Sequence, residues 1–234
     1  MIILSADTST PYLSVALTND LQVLAQLTTH ANRKHSEKLL EYTDMLLRET
    51  NTTLHDIELL AIAHGPGSFT GLRVGISAWK GLASGSHTPL IGISTLDALS
   101  TRAGAPNTPV CTLLDAKMKE VYAALYECGA HQRTSLVEET VCPLDTILEQ
   151  CPDNTTFLGD GATLYQSEIL DQLPHTNVLS ESFDYPGALA VATEAFHQFN
   201  QNPQIVSTNV CPVYLRKSQA EAMRQPDPAP SPAS

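Results

Sequence analysis

Positive charge is scarce in this chain: 13 Lys and Arg stand against 25 Asp and Glu over 234 residues, a formal net charge of −12. A surface that acidic repels a phosphate backbone, so the chain alone is expected to bind nucleic acid poorly. Work on RNA would call for a basic partner. Cysteine is absent before Cys111, and Cys111, Cys128, Cys142, Cys151 and Cys211 form no C-x-x-C pair. An odd number of cysteines without that spacing predicts reduced thiols, a cytoplasmic setting and no disulfide framework. No run approaches the ~20 uncharged apolar residues that a membrane span needs. The opening Met-Ile-Ile-Leu-Ser-Ala-Asp has no basic region ahead of an apolar one, so no signal peptide is expected. Disorder is excluded as well, since 42% of the residues are hydrophobic and only 16% charged. At roughly 100–200 residues per domain, the length fits one large domain or two small lobes. Either can bury a core without disulfide or metal staples.

What is present is a pattern that occurs twice. Ile2 to Ala6 is an apolar run ending at Asp7-Thr8-Ser9-Thr10-Pro11, and Ser14 to Leu17 with Gln22 to Leu27 completes a three-strand meander. Arg33 to Glu49 carries the apolar stripe of a helix. Ile57 to Ala63 reads as a buried strand that breaks at His64-Gly65-Pro66-Gly67, before a helix-compatible run over Phe69 to Ser84. Leu90 to Ile93 and the segment from Leu96 supply a strand and a helix. Then Val110 to Leu114 ends in Asp115 as the first run ends in Asp7, with strands expected at Val121 to Tyr126 and Ser135 to Val141. Phe157-Leu158-Gly159-Asp160-Gly161 repeats the strand followed by Gly-x-Gly, and helical periodicity returns over Leu189 to Phe199. Four features matched in order favour a duplicated β-β-β-α-β-α module over chance likeness. The expected lobes are 1–104 and 105–217. The Pro-rich segment 218–234 has no apolar anchors and is expected to be disordered.

Gly65-Pro66-Gly67-Ser68-Phe69-Thr70-Gly71-Leu72-Arg73-Val74-Gly75-Ile76 is the most informative stretch. It reads as a strand end, a glycine turn, a Ser68 or Thr70 placed to cap, and a helix whose free N–H groups can hold an anion. The specific phosphate signatures fail. Walker A has no lysine after Gly71, and the dinucleotide G-x-G-x-x-G would need glycine where Thr70 stands. Gly71, Gly75, Ala78, Gly81, Ala83 and Gly85 place small residues on nearly every turn of the helix. Each interior glycine costs about 0.5–1 kcal/mol relative to alanine. Close packing on the chain's own sheet and a partner approaching from outside both account for them.

That block, the opening I-L-S-A-D-T-S, L-D-A-K-M-K-E-V-Y-A-A-L-Y over 114–126 and P-V-Y-L-R over 212–216 together resemble the bacterial TsaB (YeaZ) family. The resemblance runs along essentially the whole chain up to the Pro-rich segment. It implies a two-lobed α/β fold of the actin/Hsp70/sugar-kinase class, built from duplicated RNase H-like modules. It also implies a non-catalytic role as partner of TsaD, which transfers threonylcarbamoyl to N6 of A37 in tRNAs reading ANN codons. The ATPase TsaE completes that assembly, so ATP and metal are expected on the partner subunits and no cofactor on this chain. The implied partner surface is the helix over about 34–49 with His35, Leu39, Tyr42 and Leu46. Beside it lies the helix over about 69–84 with Gly71, Arg73, Val74, Gly75 and Ala78. A homodimer through the same patch is expected when the partner is missing. Transfer RNA would meet the chain only through the complex, with Arg33, Lys34 and Lys38 near the contact.

Enzymatic alternatives find little support. No two of the histidines at 30, 35, 55, 64, 87, 131, 175 and 197 are four apart, so neither H-E-x-x-H nor H-x-x-x-H exists. The resemblance puts Thr95 and Leu99 where the catalytic homologue carries metal-ligating histidines. Gly75-Ile76-Ser77-Ala78-Trp79 fails the G-x-S-x-G elbow at its last position. Asp7-Thr8-Ser9-Thr10 lacks the glycine of the D-x-G-T that actin-like kinases bring to phosphate. Asp7 and Asp115 form either a carboxylate pair across a cleft or caps for their own turns by Asx bonding. An actin-fold ATPase or phosphotransferase is the leading alternative function, and a metallopeptidase comes behind it.

Overall fold

The computed structural model describes residues 1–31, 34–104, 108–129, 133–207 and 209–216. Arg33, His131 and the Pro-rich segment 218–234 lie outside the described residues. The chain forms two five-stranded sheets that share one layout. In the first, β1 (Ile2–Asp7), β2 (Tyr12–Asn19) and β3 (Gln22–His30) make an antiparallel meander. After α1 (His35–Glu49) the chain re-enters at β4 (Leu59–Gly65), and after α2 (Phe69–Ser86) at β5 (Leu90–Ser94). Both later strands are parallel to β1, as a helical crossover requires, and the order is β3-β2-β1-β4-β5.

A helix α3 (Thr95–Thr101) leads to the second sheet. Its strands are β6 (Val110–Lys117), β7 (Glu120–Cys128) and β8 (Arg133–Pro143), followed by α4 (Leu144–Leu148) and β9 (Thr156–Leu158). Then come α5 (Asp160–Leu164), α6 (Gln166–Gln172) and β10 (Asn177–Val178), giving the order β10-β9-β6-β7-β8. The periodicity expected over Leu189 to Phe199 is α7 (Gly187–Gln201). It does not cover the second sheet: it packs on β1, β2, β4 and β5 beside α3.

The first sheet is therefore apolar on both faces, and consecutive residues of its strands are buried in opposite directions. Leu4, Leu60 and Ile62 of the sheet pack with Leu72 and Trp79 of α2 in the layer on the side of α1 and α2. Ile3, Leu59, Ile91 and Ile93 of the sheet pack with Val191 of α7 in the layer on the opposite side. All five cysteines are free thiols. Among the described residues, no helix is long and apolar enough to cross a membrane.

The small residues of α2 divide into two sets. A Cβ on Gly71 would overlap the carbonyl oxygen of Thr8, and one on Gly75 would overlap the Thr8 hydroxyl and lie 3.1 Å from Ile62 Cδ1. Thr8 Oγ1 donates to the Gly71 carbonyl at 2.8 Å, so helix and turn are in direct contact. Gly81 and Gly85 have nothing within 4 Å of the same position. The two sets predict opposite thermal shifts. Gly71→Ala should cost about 1–3 kcal/mol through overpacking against backbone. Gly81→Ala should gain about 0.5–1 kcal/mol of helix propensity, and each kcal/mol moves Tm by about 2–4 °C at this size. Calorimetric melts of the two variants check this; shifts of one sign would contradict it.

Candidate functional site

A cleft of about 1000 Å³ separates the two sheets, lined by Ser9, Thr10, His35, Ser68 and Thr70 on one side and by Asp115, Lys117, Tyr122 and Asp160 on the other. Several of its polar groups are engaged within the chain. Ser68 caps α2 by accepting from Gly71 N at 3.2 Å, and its own N–H donates to Ser9 O at 2.7 Å. Asp7 is fully buried: Oδ1 accepts from Ser9 N at 2.9 Å and Ser9 Oγ at 2.6 Å, and Oδ2 accepts from Gly187 N at 3.1 Å. Asp115 accepts from Lys117 N at 2.7 Å and pairs with Lys117 Nζ at 2.5 Å. Each aspartate thus caps its own turn, and the carboxylate pair across the cleft does not form. Burial, the largest influence, pushes Asp160 up to about 6 even though its Oδ1 accepts from Asp115 N at 2.9 Å. His35 begins α1 and its Nε2 lies 3.1 Å from Thr10 O, tying that helix to the first turn.

The residues expected at the partner surface do not form one exposed patch. Leu39 and Leu46 are 1% and 2% exposed, inside the first core, and Gly71 and Gly75 face Thr8. These four serve the chain's own packing, which corrects their expected place on an open surface. His35, Tyr42, Val74 and Ala78 are half-buried and Arg73 is exposed. The expected partner surface left out the apolar side chains that α1 does present, Leu40 and Met45, and the open glycines of α2, Gly81 and Gly85, although the small-residue pattern had included the glycines.

A strap over residues 209–216 runs between the lobes. Val213 N donates to His64 O at 2.8 Å on the first sheet, and Arg216 donates to Ala116 O at 2.9 Å on the second. A Cβ on Gly65 would overlap the Val213 carbonyl oxygen, so the glycine turn after β4 admits the strap. Tyr214 OH accepts from Arg73 Nε at 3.0 Å and its ring stacks on Phe69. The sequence signal for this contact was P-V-Y-L-R, whose role no periodicity reveals.

The family model described as "TsaD: tRNA N6-adenosine threonylcarbamoyltransferase" matches residues 23–223. The tRNA threonylcarbamoyladenosine biosynthesis protein TsaB of Haemophilus influenzae is 31% identical over 233 residues, covering 92% of this chain and 94% of that protein. The chain belongs to the TsaB (YeaZ) family. The Escherichia coli protein of the same name is 43% identical over 129 residues, a match spanning 54% of this chain and 55% of that protein. YeaZ from Pseudomonas aeruginosa superposes with a TM-score of 0.79 at 27% identity, over 92% of this chain and 99% of that one. A putative N-acetylmannosamine kinase from Listeria monocytogenes shares the fold alone, with a TM-score of 0.52 at 10% identity over 86% of this chain and 100% of that one. The two-lobed α/β actin/sugar-kinase architecture expected from the sequence is the one observed.

The positions where the resemblance puts the metal ligands of a catalytic TsaD do not fit a metal. Thr95 begins α3 with its hydroxyl buried and without a hydrogen-bond partner, and Leu99 is an apolar side chain wholly inside. Among the described residues, no group of three or more His, Cys, Asp or Glu could hold a metal ion.

That region instead carries a polar clasp between the lobes. Arg133 of β8 forms a two-pronged pair with Glu194 of α7, both bonds 2.8 Å, and reaches Asp97 Oδ1 of α3 at 3.1 Å. Tyr126 OH donates to the same Asp97 oxygen at 2.9 Å, and Ser94 Oγ donates to Glu139. Burial, with Asp97 and Glu138 adding, raises Glu139 from 4.5 to about 7; Ser94 and Arg133 oppose the rise. The folded chain therefore binds more protons than the unfolded one between those values, and stability falls as pH rises through that window. Urea midpoints at pH 5 and pH 7.5 should differ less in Glu139→Gln than in the wild type. An equal difference in the two proteins would remove Glu139 from the pH response.

Proposed function

We propose that this TsaB-family chain is a non-catalytic cytoplasmic subunit that binds TsaD and holds it active for N6-threonylcarbamoyladenosine formation at A37 of tRNAs reading ANN codons, with TsaE as a third component. Its relatives are named for threonylcarbamoyladenosine biosynthesis. The observation that carries the reading is the outer stripe of α2. Val74, Ala78, Gly81 and Gly85 follow one another at helical spacing, and the space over Gly81 and Gly85 is open. Glycine there weakens the helix and serves no packing within this chain, whereas it lets a second helix approach closely. Leu40 and Met45, 52% and 44% exposed, offer apolar area on the neighbouring helix. In the isolated chain the same stripe pairs two copies.

The non-catalytic reading draws on the cleft. The turn after β1, which a kinase of this fold opens to phosphate, is closed by the bonds of Asp7, Ser9 and Ser68. ATP and metal then belong to TsaD and TsaE. The cleft's volume favours a second reading as an actin-fold ATPase, and calorimetry with ATP·Mg²⁺ on the isolated chain decides between them.

Gly81→Arg tests the partner surface. A side chain placed in open space should leave Tm unchanged or raised. Capture of TsaD should fall at least about tenfold, equivalent to about 1.4 kcal/mol, and modification in the reconstituted complex should fall with it. The chain alone should not modify tRNA. Capture by the folded variant at wild-type strength would remove this face from the interface.

A further inference from the structure

We propose that Arg73, Tyr214, Arg216 and Lys119 form a contact for single-stranded RNA that runs across the boundary between the lobes; it deepens the subunit reading, on which its biological sense rests. Direct bonds tie Arg73 to Tyr214 and Arg216 to the turn that carries Lys119. Arg73 on α2 donates to Tyr214 OH, and two residues further along the strap Arg216 reaches Ala116 O and lies 3.0 Å from the sulfur of Met118. Lys117 and Lys119 flank Met118 on the turn between β6 and β7. Four of the chain's 13 basic residues, Arg73, Arg216, Lys117 and Lys119, thus stand on α2, the strap and the turn that the strap reaches. Asp115 pairs with Lys117 and Glu120 with Arg216 at 3.2 Å, and among the described residues Arg73 and Lys119 are in no ion pair. A surplus of positive charge thus sits on a chain whose formal net charge is −12.

One feature selects single-stranded RNA over other polyanions, and a second supplies positive charge beside it. The rings of Phe69 and Tyr214 stack with centroids 4.7 Å apart at 26°, and the Arg73 guanidinium lies 3.8 Å from the Phe69 centroid. Phe69 and Tyr214 are 37% and 40% exposed, so the assembly is an open platform of the kind on which unpaired bases stack. An acidic peptide would use the charges and have no use for flat rings. The turn is the second feature. Lys117, Met118 and Lys119 have φ of 64°, 58° and 65°, a left-handed conformation that Asn-Gly would adopt with less strain. The sequence keeps two lysines there instead, and Lys119 is exposed.

The test uses the full chain at about 20 mM salt, where phosphate contacts are strongest, with a fluorescein-labelled 12-nucleotide oligouridylate followed by anisotropy. Lys119→Glu should weaken binding about tenfold and lower the slope of log K against log salt by about one. Tyr214→Ala should weaken it about tenfold with the slope unchanged. Arg48→Glu at the end of α1 changes the net charge by the same amount as Lys119→Glu and should leave binding as it was. Lys119→Gln and circular dichroism keep the result readable should the reversed charge unfold the turn. Binding that does not respond to Lys119 or Tyr214, or that responds equally to Arg48, would overturn the proposal. Tighter binding of a labelled 12-residue polyglutamate than of the RNA would overturn it in favour of an acidic protein segment. The pull-down with Gly81→Arg is a separate measurement, so failure here is distinguishable from failure of the subunit reading.

Discussion

A carboxylate buried without a cationic partner among its hydrogen bonds organises this molecule. Burial pushes the Asp7 carboxyl up, while hydrogen bonds from Ser9 and Gly187 pull in the other direction. Asp7 holds the turn after β1, and Ser14 Oγ accepts from Ala188 N at 2.9 Å while Ser5 Oγ donates to Ala188 O at 2.8 Å. The first hairpin thereby caps the start of α7 from strands distant in sequence, satisfying N–H groups that the helix cannot satisfy itself. With the turn fixed, the carbonyls of Thr8 and Ser9 stand against Gly71 and Gly67, where only glycine leaves room. The position of α2, and with it the outward stripe, follows from that contact.

The two lobes are fastened on two sides by different physics. On the side of α2 the strap holds the first sheet by one backbone bond and the stacked Phe69–Tyr214 pair, and the second by the Arg216 side chain on the Ala116 carbonyl. On the side of α3 and α7 the clasp uses the Arg133 guanidinium, whose charge is matched by Glu194 and Asp97 in a largely buried setting. A matched buried pair adds little net stability compared with apolar packing, but its geometry admits one arrangement. The outer face of α2 and the turn at Lys119 are thus held in a fixed relation although they belong to different sheets.

The long elements were legible because their lengths exceed one period of their pattern. The apolar runs at Ile2 and Val110 are buried strands, and the stripes over α1 and α2 are helices. Helices α4, α5 and α6 were not legible: five to seven residues make no more than two turns, too few for a period to show. The duplication was legible from matched order, yet the assignment of α7 to the first sheet was not, since Asp7 and Gly187 are joined only in three dimensions. Glycine carries no side chain to betray its direction. The inward pair Gly71 and Gly75 and the outward pair Gly81 and Gly85 look alike in sequence and part company only against Thr8. Leu39 and Leu46 failed for a related reason, because an amphipathic stripe says that one face is covered and not by what.

The crossing of α7 has a bearing on how the chain is made. The strands and short helices over 110–178 form the second sheet from one contiguous stretch. The first sheet is not contiguous, for the face carrying Ile3, Leu59, Ile91 and Ile93 is closed by residues near 190. On a ribosome that emits about 5–20 residues per second, the amino-terminal sheet emerges first and acquires its last layer after the later sheet is already available. For those seconds an apolar layer of the earlier half stands without its cover, and the order of synthesis runs opposite to the order of completion.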